Sequence, residues 1–282
     1  MKLAVAVAKK DARPSAFVVW RGFEESISKA ARAGYDGVEL ALKTAGDVDR
    51  KDLQLWLECS GLEVSCISTG QVFADLGLYF THPDAGKRRE VVEVFRGLVD
   101  LAQGFGKTVN VGRARGFIAE NQTADEAQDL FIDTMRQICD YALPLDVTLV
   151  IEPVNRYEIN FINSLDQGKA LLEKVGRPNL GLMPDVFHMN IEDDSIGGSL
   201  RRNGDLVRYI HLADSNRLAP GRGHIDFAGV FDALDSIDFD GWASVEILPE
   251  PDPDTAAADA ARYVLPLITK YNNKRKGEDR DR

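Results

Sequence analysis

Short runs of apolar residues alternate with longer stretches of helical periodicity along almost the whole chain. The apolar runs are rich in valine, isoleucine, leucine and alanine, which is typical of strands buried on both faces of a parallel sheet. Strands are predicted at residues 3–8, 37–42, 62–68, 107–112, 147–152, 180–185, 207–212 and 242–248. Helices are predicted at residues 23–33, 49–60, 85–105, 125–141, 164–175, 227–234 and 255–268.

The number of predicted strands favours a closed barrel over an open sheet. Eight strands alternating with helices within 282 residues indicate an α/β protein of the (β/α)8 TIM barrel class. No Gly/Ser-rich linker or change in composition divides the chain, so residues 1–269 are predicted to form a single domain. Residues 270–282 are charged and polar throughout, and a disordered tail is predicted there.

Charge and cysteine content exclude several classes of partner. The chain has 45 acidic and 34 basic residues and a net charge of −11, which repels nucleic acid at long range. No apolar run approaches the roughly 18 residues that a membrane span needs, and the charged residues at positions 9–13 distinguish the first run from a signal peptide. The cysteines, Cys59, Cys66 and Cys139, lack CxxC spacing, which favours a reducing cytoplasm over a disulfide framework.

Four consecutive predicted strands each end in a residue that can bind a metal ion. These residues are Glu152, Asp185, His211 and Glu246. Pro153 closes the strand before it, because proline cannot donate a hydrogen bond to a sheet. Active sites of such barrels lie at the carboxyl ends of the strands, and neighbouring strands are about 4.8 Å apart. The four side chains are therefore predicted to converge on one ion.

The types of ligand indicate the ion. Three carboxylates and one imidazole form a mostly oxygen set, which suits Mn²⁺ or Mg²⁺, with Co²⁺ as an alternative. The scarcity of thiolates argues against structural zinc. In the competing interpretation each residue is an isolated polar strand end that caps a helix or pairs with an arginine. Four such cases in succession would each require a separate partner near a shared axis, which disfavours that interpretation.

The sequence around these residues resembles a known family. The matching stretches are Ile151-Glu152-Pro153 with Asn155 and Glu158, Asp185-Val186-Phe187-His188-Met189, His211-Leu212-Ala213-Asp214-Ser215-Asn216-Arg217, Pro220-Gly221-Arg222-Gly223-His224-Ile225-Asp226-Phe227, and Ser244-Val245-Glu246. They resemble the xylose-isomerase-like barrels and, within them, the ketose 3-epimerases of the D-tagatose and D-psicose 3-epimerase group. The resemblance covers most of the chain, with its specific motifs between residues 150 and 250.

The resemblance implies a metal-dependent sugar isomerase or epimerase. It makes the four strand-end residues the metal ligands, and Glu158, His188 and Arg217 the contacts to the ketose oxygens. A divalent cation that holds the carbonyl and a neighbouring hydroxyl stabilises the enediolate formed when a carbon-bound proton leaves. Glu152 and Glu246 are expected to exchange the roles of base and acid on the two faces of that intermediate. Relatives commonly assemble as homodimers or homotetramers.

Each supporting residue also has a structural explanation. His188 could bond a nearby backbone group, Arg217 could be a surface arginine, and Glu158 could pair with Arg156 in a loop. With the metal site granted, contact with the substrate is favoured for His188 and Arg217. Glu39, at the end of the second predicted strand, is a candidate partner of a metal ligand.

Two arginines depart from the family pattern. Arg113 and Arg115 follow the fourth predicted strand and are not expected beside a neutral ketose. They could hold a carboxylate or phosphate of the substrate, or pair with acidic loops of this acidic protein. The charge of the sugar is therefore open, whereas the proton chemistry is not affected.

Other functions are compatible with the same barrel. A dehydratase would use the same metal and glutamates to abstract a proton, but a hydroxyl group would then leave. An enzyme of the endonuclease IV type would have a histidine-rich, multi-zinc site and a basic groove for DNA. A chain with four histidines and a net charge of −11 disfavours this function. A sugar-binding protein without catalysis is the weakest alternative.

Overall fold

The computed structural model describes residues 1–13 and 17–278, and the strands in these ranges form one parallel ring. The strands are β1 (Lys2–Ala8), β2 (Trp20–Arg21), β3 (Gly37–Ala41), β4 (Glu63–Ser68), β5 (Thr108–Val111), β6 (Thr148–Ile151), β7 (Leu180–Leu182), β8 (Tyr209–Leu212) and β9 (Trp242–Val245). Their order is β7-β6-β5-β4-β3-β1-β9-β8, and β2 pairs with β1 outside this path. Parallel bridges from Leu182 to Val207 and from Asp185 to His211 bring the two ends of the path together. The predicted (β/α)8 barrel is confirmed.

The helices lie on the outside of the ring. Within the described ranges they are α1 (Phe23–Ala33), α2 (Arg50–Ser60), α3 (Gly70–Leu76), α4 (Ala85–Gly104), α5 (Ala124–Ala142), α6 (Leu165–Val175), α7 (Val186–Glu192), α8 (Ile196–Asn203), α9 (Phe227–Ser236) and α10 (Pro253–Glu278). The sequence did not predict α3, α7 and α8, because helices this short contain too few turns for their period to be distinct.

Among the described residues the core has three parts, of which one is a small cluster of Ala6, Ala8, Ala12, Val18 and Ala41. A large apolar cluster fills the space between the strands and the outer helices. A smaller cluster of Cys66, Val150, Met183 and Tyr209 fills the inside of the ring. Every residue of β1 after Lys2 is buried, as expected of a strand covered on both faces. The barrel interior is therefore packed, and polar groups gather above it at the carboxyl ends of the strands.

The carboxyl-terminal segment differs from the prediction. A disordered tail was predicted from residue 270, but α10 continues to Glu278. Tyr271 explains the difference, because its side chain is buried, contacts the Phe231 ring and donates a hydrogen bond to the carbonyl of Phe239. One aromatic anchor thus extends the helix through a charged stretch, while residues 279–282 lie outside the described part of the chain. None of the helices in that part is long and apolar enough to cross a membrane.

Arg115 is fully buried and joins two loops near the mouth of the barrel. It ends a 3-10 turn, Arg113–Arg115, that follows β5. Its Nε donates to the carbonyl of Phe161 at 2.9 Å, its Nη2 to that of Ile162 at 3.0 Å, and its Nη1 to that of Gly112 at 3.2 Å. These carbonyls occupy the guanidinium on the protein side, so Arg115 is unsuited to the substrate contact predicted for it.

Replacing Arg115 by methionine should destabilise the fold. Methionine fills much of the same volume but removes three side-chain hydrogen bonds to carbonyl groups, of which those of Gly112 and Ile162 keep a backbone donor. We expect a loss of about 3 kcal/mol in the free energy of unfolding. Urea denaturation of the purified protein measures this loss. Arg113→Met is the matched control, since Arg113 is only partly buried, and its free energy of unfolding should stay within about 1 kcal/mol of the wild type. Equal stability of the two variants would contradict the structural role of Arg115.

Candidate metal and substrate site

A cavity lies at the carboxyl ends of the barrel strands. It is open to solvent, and together with the open space at its mouth it measures about 590 Å³. Each strand of the ring, or the loop that follows it, contributes to the wall. Phe17 and Val18 come from the loop after β1, and Ser68 and Gln71 come from the end of β4 and from α3.

The structure brings the four predicted ligands together. Glu152 follows β6 directly, Asp185 lies three residues beyond β7, His211 lies within β8, and Glu246 follows β9 directly. One donor atom from each lies within 4.8 Å of the donor atoms of the other three. Asp185 also accepts a hydrogen bond from the backbone of Phe187 at 2.9 Å, so it caps α7 with the oxygen that it does not turn towards the cluster.

His211 lies between carboxylates on both sides of its ring. Its Nδ1 is 3.1 Å from Oε1 of Glu152, and its Nε2 is 2.9 Å from Oε2 of Glu39. Tyr209 donates to the same Glu39 oxygen at 2.9 Å. Burial lowers the pKa of His211, but the charges of Glu39 and Glu246 and the bond to Glu152 outweigh burial and raise that pKa well above its ordinary value. Glu39 thus holds the Nε2 proton and leaves Nδ1 for the cluster.

Arg217 is the cation that contacts the cluster from the side of the cavity. Its Nη1 donates to Oδ2 of Asp185 at 2.6 Å, and its Nη2 donates to Oε2 of Glu246. Its guanidinium stacks on the rings of Phe17 and Phe187, each 4.7 Å from the guanidinium carbon. Two ion pairs and two aromatic faces therefore fix this side chain in one position.

The two glutamates at the ends of the cluster have opposite pKa shifts. Burial alone would raise the pKa of Glu152, but the hydrogen bond and charge of His211, with the charge of Arg217, lower it. Burial raises the pKa of Glu246, and the negative charges of Glu152 and Asp185 add to this effect against His211 and Arg217. A pair of carboxyl groups with such divergent environments is suited to opposite proton-transfer roles.

A second set of polar groups lies beside the cluster. Asn155 donates through Nδ2 to Nδ1 of His188 at 2.8 Å and to Oε1 of Glu158 at 3.1 Å. His188 is 3% exposed, and burial lowers its pKa, so the ring is neutral with its proton on Nε2. Glu158 and His188 both line the cavity, as does Arg217. The three predicted substrate contacts thus lie on one wall.

Several cavity residues were not singled out as site residues from the sequence. Asn110 donates to Oε2 of Glu152 at 3.3 Å, and Phe17 stacks on Arg217. Asn110 lies near the end of a predicted strand and Asn155 lies in a family-like motif, so signals for both existed. No comparable signal marks Phe17, because its contact depends on how the loop after β1 folds over the barrel.

The donor set fits a divalent cation. Within the described part of the chain, four carboxylates of this cluster face two cationic groups, His211 and Arg217. The carboxylates are those of Glu39, Glu152, Asp185 and Glu246. Buried charges are costly without compensation, and a divalent ion would offset much of this negative excess. The mostly oxygen donors match hard ions such as Mn²⁺, Mg²⁺ or Co²⁺.

Comparison with known proteins agrees with this geometry. The family model described as xylose isomerase-like TIM barrel matches residues 27–267. L-ribulose 3-epimerase of Methylomonas sp. (strain DH-1) is 32% identical over 239 residues, which cover 80% of this chain and 78% of the relative. D-psicose 3-epimerase of Agrobacterium fabrum (strain C58 / ATCC 33970) is 30% identical over 229 residues, with coverage of 79% and 78%.

A solved structure shows the same relationship. D-allulose 3-epimerase from Methylomonas sp., in complex with D-allulose, has a TM-score of 0.80 and 26% identity, covering 95% of this chain and 97% of that chain. These relatives carry the names of 3-epimerases, so the family fits a sugar epimerase rather than a dehydratase or an endonuclease. The match over most of the length, together with the closed barrel, shows that this chain belongs to the xylose isomerase-like TIM barrel family.

Proposed function

We propose that this protein is a metal-dependent epimerase that inverts the configuration at C3 of a ketose. The similarity to L-ribulose and D-psicose 3-epimerases supports this activity. The observation that carries the proposal is the convergence of Glu152, Asp185, His211 and Glu246, with one donor atom from each within 4.8 Å, at one cavity. This arrangement supports the proposal, because two carboxylates and a set of donors suited to a metal lie beside the cavity.

The same four residues would hold the ion, and Mn²⁺ is our first choice, with Mg²⁺ and Co²⁺ as alternatives. When bound, the ion would polarise the carbonyl and a neighbouring hydroxyl of the ketose. Glu39 keeps the ring of His211 oriented through its contact with Nε2 at 2.9 Å. Asn110 supports Glu152 in the same way, because it donates to the oxygen that His211 does not contact.

Glu152 and Glu246 are the proton-transfer pair. They follow the first and the last of four neighbouring strands, β6 to β9, so they approach a substrate from the two ends of the cluster. One glutamate removes the C3 proton and leaves a planar enediolate, and the other returns a proton to the opposite face. The lowered pKa of Glu152 suits the base and the raised pKa of Glu246 suits the acid, for turnover in one direction.

The remaining cavity residues hold the sugar. Arg217 offers fixed positive charge beside the developing oxyanion, and the Nε2 proton of His188 offers a hydrogen bond. Glu158 would accept a hydrogen bond from a sugar hydroxyl, because Asn155 occupies only one of its oxygens. Phe17 covers Arg217 and excludes water from its ion pairs.

Isotope exchange tests the two-glutamate mechanism. The Mn²⁺-loaded protein is incubated in deuterated water with D-allulose, D-fructose, D-tagatose and L-ribulose, and deuterium at C3 identifies both the reaction and a substrate. In Glu152→Gln and in Glu246→Gln, epimerisation should fall by at least about 100-fold. Each variant should still exchange the C3 hydrogen of one epimer, because the remaining base can remove and return a proton on its own face, and the epimer should differ between the variants.

Glu120→Gln is the control for this experiment, since Glu120 is exposed and distant in sequence from the cluster. It should epimerise at the wild-type rate. Deuterium exchange of the same epimer by both site variants, or epimerisation near the wild-type rate in either, would exclude the proposed pair. Loss of a water from the ketose, detected by mass, would instead identify a dehydratase.

Binding of Mn²⁺ should depend on pH. In the metal-free protein the pKa values of His211 and Glu246 are raised, so both groups hold protons near neutral pH, and a metal must displace them. We therefore expect the affinity to increase as the pH rises from 6 to 8, and about one to two protons to be released per ion at pH 7. Calorimetry in two buffers with different ionisation enthalpies measures both quantities.

Asp185→Asn tests the ligand set in the same titration. Asparagine preserves the cap on α7 but removes the charge, and the affinity for Mn²⁺ should fall by at least about 10-fold at every pH. Glu120→Gln should bind like the wild type. An affinity that is independent of pH, without release of protons, would mean that the ion binds elsewhere.

A further inference from the structure

Arg113 is a cation in the cavity wall, and the described part of the chain supplies no counterion for it. It begins the 3-10 turn after β5, is partly buried and lines the same cavity as Glu152 and Glu246. Within residues 1–13 and 17–278, its guanidinium has neither a hydrogen bond nor an ion pair. A partly buried cation without a partner is unfavourable, so its position indicates a partner that comes from outside the chain.

The other arginines near the mouth of the barrel have partners. Arg217 pairs with Asp185 and Glu246, and Arg156 pairs with Glu192 at 2.8 Å. Arg13 lies 3.1 Å from Asp75. Arg115, two residues beyond Arg113, has three backbone acceptors. In a chain with a net charge of −11, the absence of a described partner for Arg113 is therefore not explained by a shortage of acidic groups.

Gln71 provides a second, independent observation. It lies on α3, its side chain is 6% exposed, and it lines the cavity. Its Nε2 has no hydrogen-bond partner in the described part of the chain. Helix α3 packs against the turn Arg113–Arg115, so the unpaired donor and the unpaired cation come from adjoining elements. Leaving such a donor buried and unpaired costs about 1–3 kcal/mol, which an acceptor on a ligand would offset.

The position of this pair relates it to the reacting centre. Gly112 precedes Arg113 and approaches Glu152 so closely that a Cβ atom on it would lie 3.2 Å from Oε2. The turn therefore begins at the edge of the metal cluster, and Arg113 lines the same cavity as the cluster. A molecule held at the cluster can meet Arg113 with its other end.

We propose that Arg113 and Gln71 form a subsite for an anionic group, a carboxylate or a phosphate, at the far end of the ketose. This inference rests on the proposed function and names its substrate class: an acidic or phosphorylated ketose rather than a neutral one. The planar guanidinium offers two parallel donors to such a group, and the amide of Gln71 adds a third. The subsite determines specificity and takes no part in the proton transfer.

The test compares matched substrates on the Mn²⁺-loaded full chain. A neutral ketose, its terminal phosphate ester and the corresponding terminal carboxylate are assayed for C3 deuterium exchange, and their dissociation constants are measured by calorimetry. The wild type should favour one anionic substrate over the neutral ketose by about 10-fold or more in kcat/KM. The phosphate and carboxylate arms show which anion the subsite accepts.

Substitutions in the subsite should lower kcat/KM for the anionic substrate and leave that for the neutral ketose nearly unchanged. Arg113→Gln should lower kcat/KM for the anionic substrate by about 10- to 100-fold, mainly through KM, and leave the neutral ketose within about threefold. Arg113→Lys should retain part of the preference, because it keeps the charge but loses the planar fork. Gln71→Leu should lower kcat/KM for the anionic substrate by about fivefold. Arg156→Gln removes an exposed arginine at the mouth of the same barrel, and it should leave kcat/KM unchanged for both substrates.

The possible outcomes separate the subsite from the function. If neutral ketoses are preferred, and Arg113→Gln affects neutral and anionic substrates equally, the subsite is wrong and the epimerase proposal stands. If no ketose exchanges its C3 hydrogen, the epimerase proposal fails, and calorimetry still decides the subsite. The subsite is supported if Arg113→Gln binds an anionic ketose about 10-fold or more weakly than the wild type. It is overturned if the two proteins bind that ketose equally well.

Discussion

The excess of buried negative charge at the carboxyl ends of the strands is the constraint on which this structure depends. A carboxylate on β3 and one shortly after each of β6, β7 and β9 point into one small volume. In the described chain, only His211 and Arg217 contact them as cationic groups. Uncompensated buried charge costs several kcal/mol per ion. The bridge between Asp185 and His211 is one of the two parallel bridges that join the ends of the strand path, so a contact that closes the barrel also brings two residues of the cluster together.

The conformation of Arg217 shows what this constraint demands of a loop. Its φ of 63° lies in the left-handed region, which costs a residue with a Cβ of order 1–3 kcal/mol. The backbone is held there by hydrogen bonds from its N–H to the carbonyl of Asp214 at 2.8 Å and from Leu248 to its own carbonyl at 2.9 Å. This strain directs the guanidinium at Asp185 and Glu246, where charge compensation offsets it. A surface arginine would not require such a backbone.

The sequence predicted those parts of the fold that depend on regular patterns of apolar and polar residues. Alternating apolar runs identified the barrel, and the polar residue at the end of each late strand identified the cluster, because parallel strands place their carboxyl ends at one rim. Features that depend on a particular turn were not predictable in this way. Helices α3 and α7 are too short to show a period, and one buried tyrosine, Tyr271, extends α10 through residues whose charge indicates disorder.

Arg113 and Arg115 show this limit most directly. Their chemistry and their place in the sequence are nearly the same, yet the 3-10 turn buries one against backbone carbonyls and leaves the other in the cavity wall. A side chain two positions along such a turn points in a different direction, and no compositional signal records which one. The strand ends, which regular geometry fixes, hold the glutamates that we propose for proton transfer. Irregular turns surround them, so the substrate can change there while the reaction stays the same.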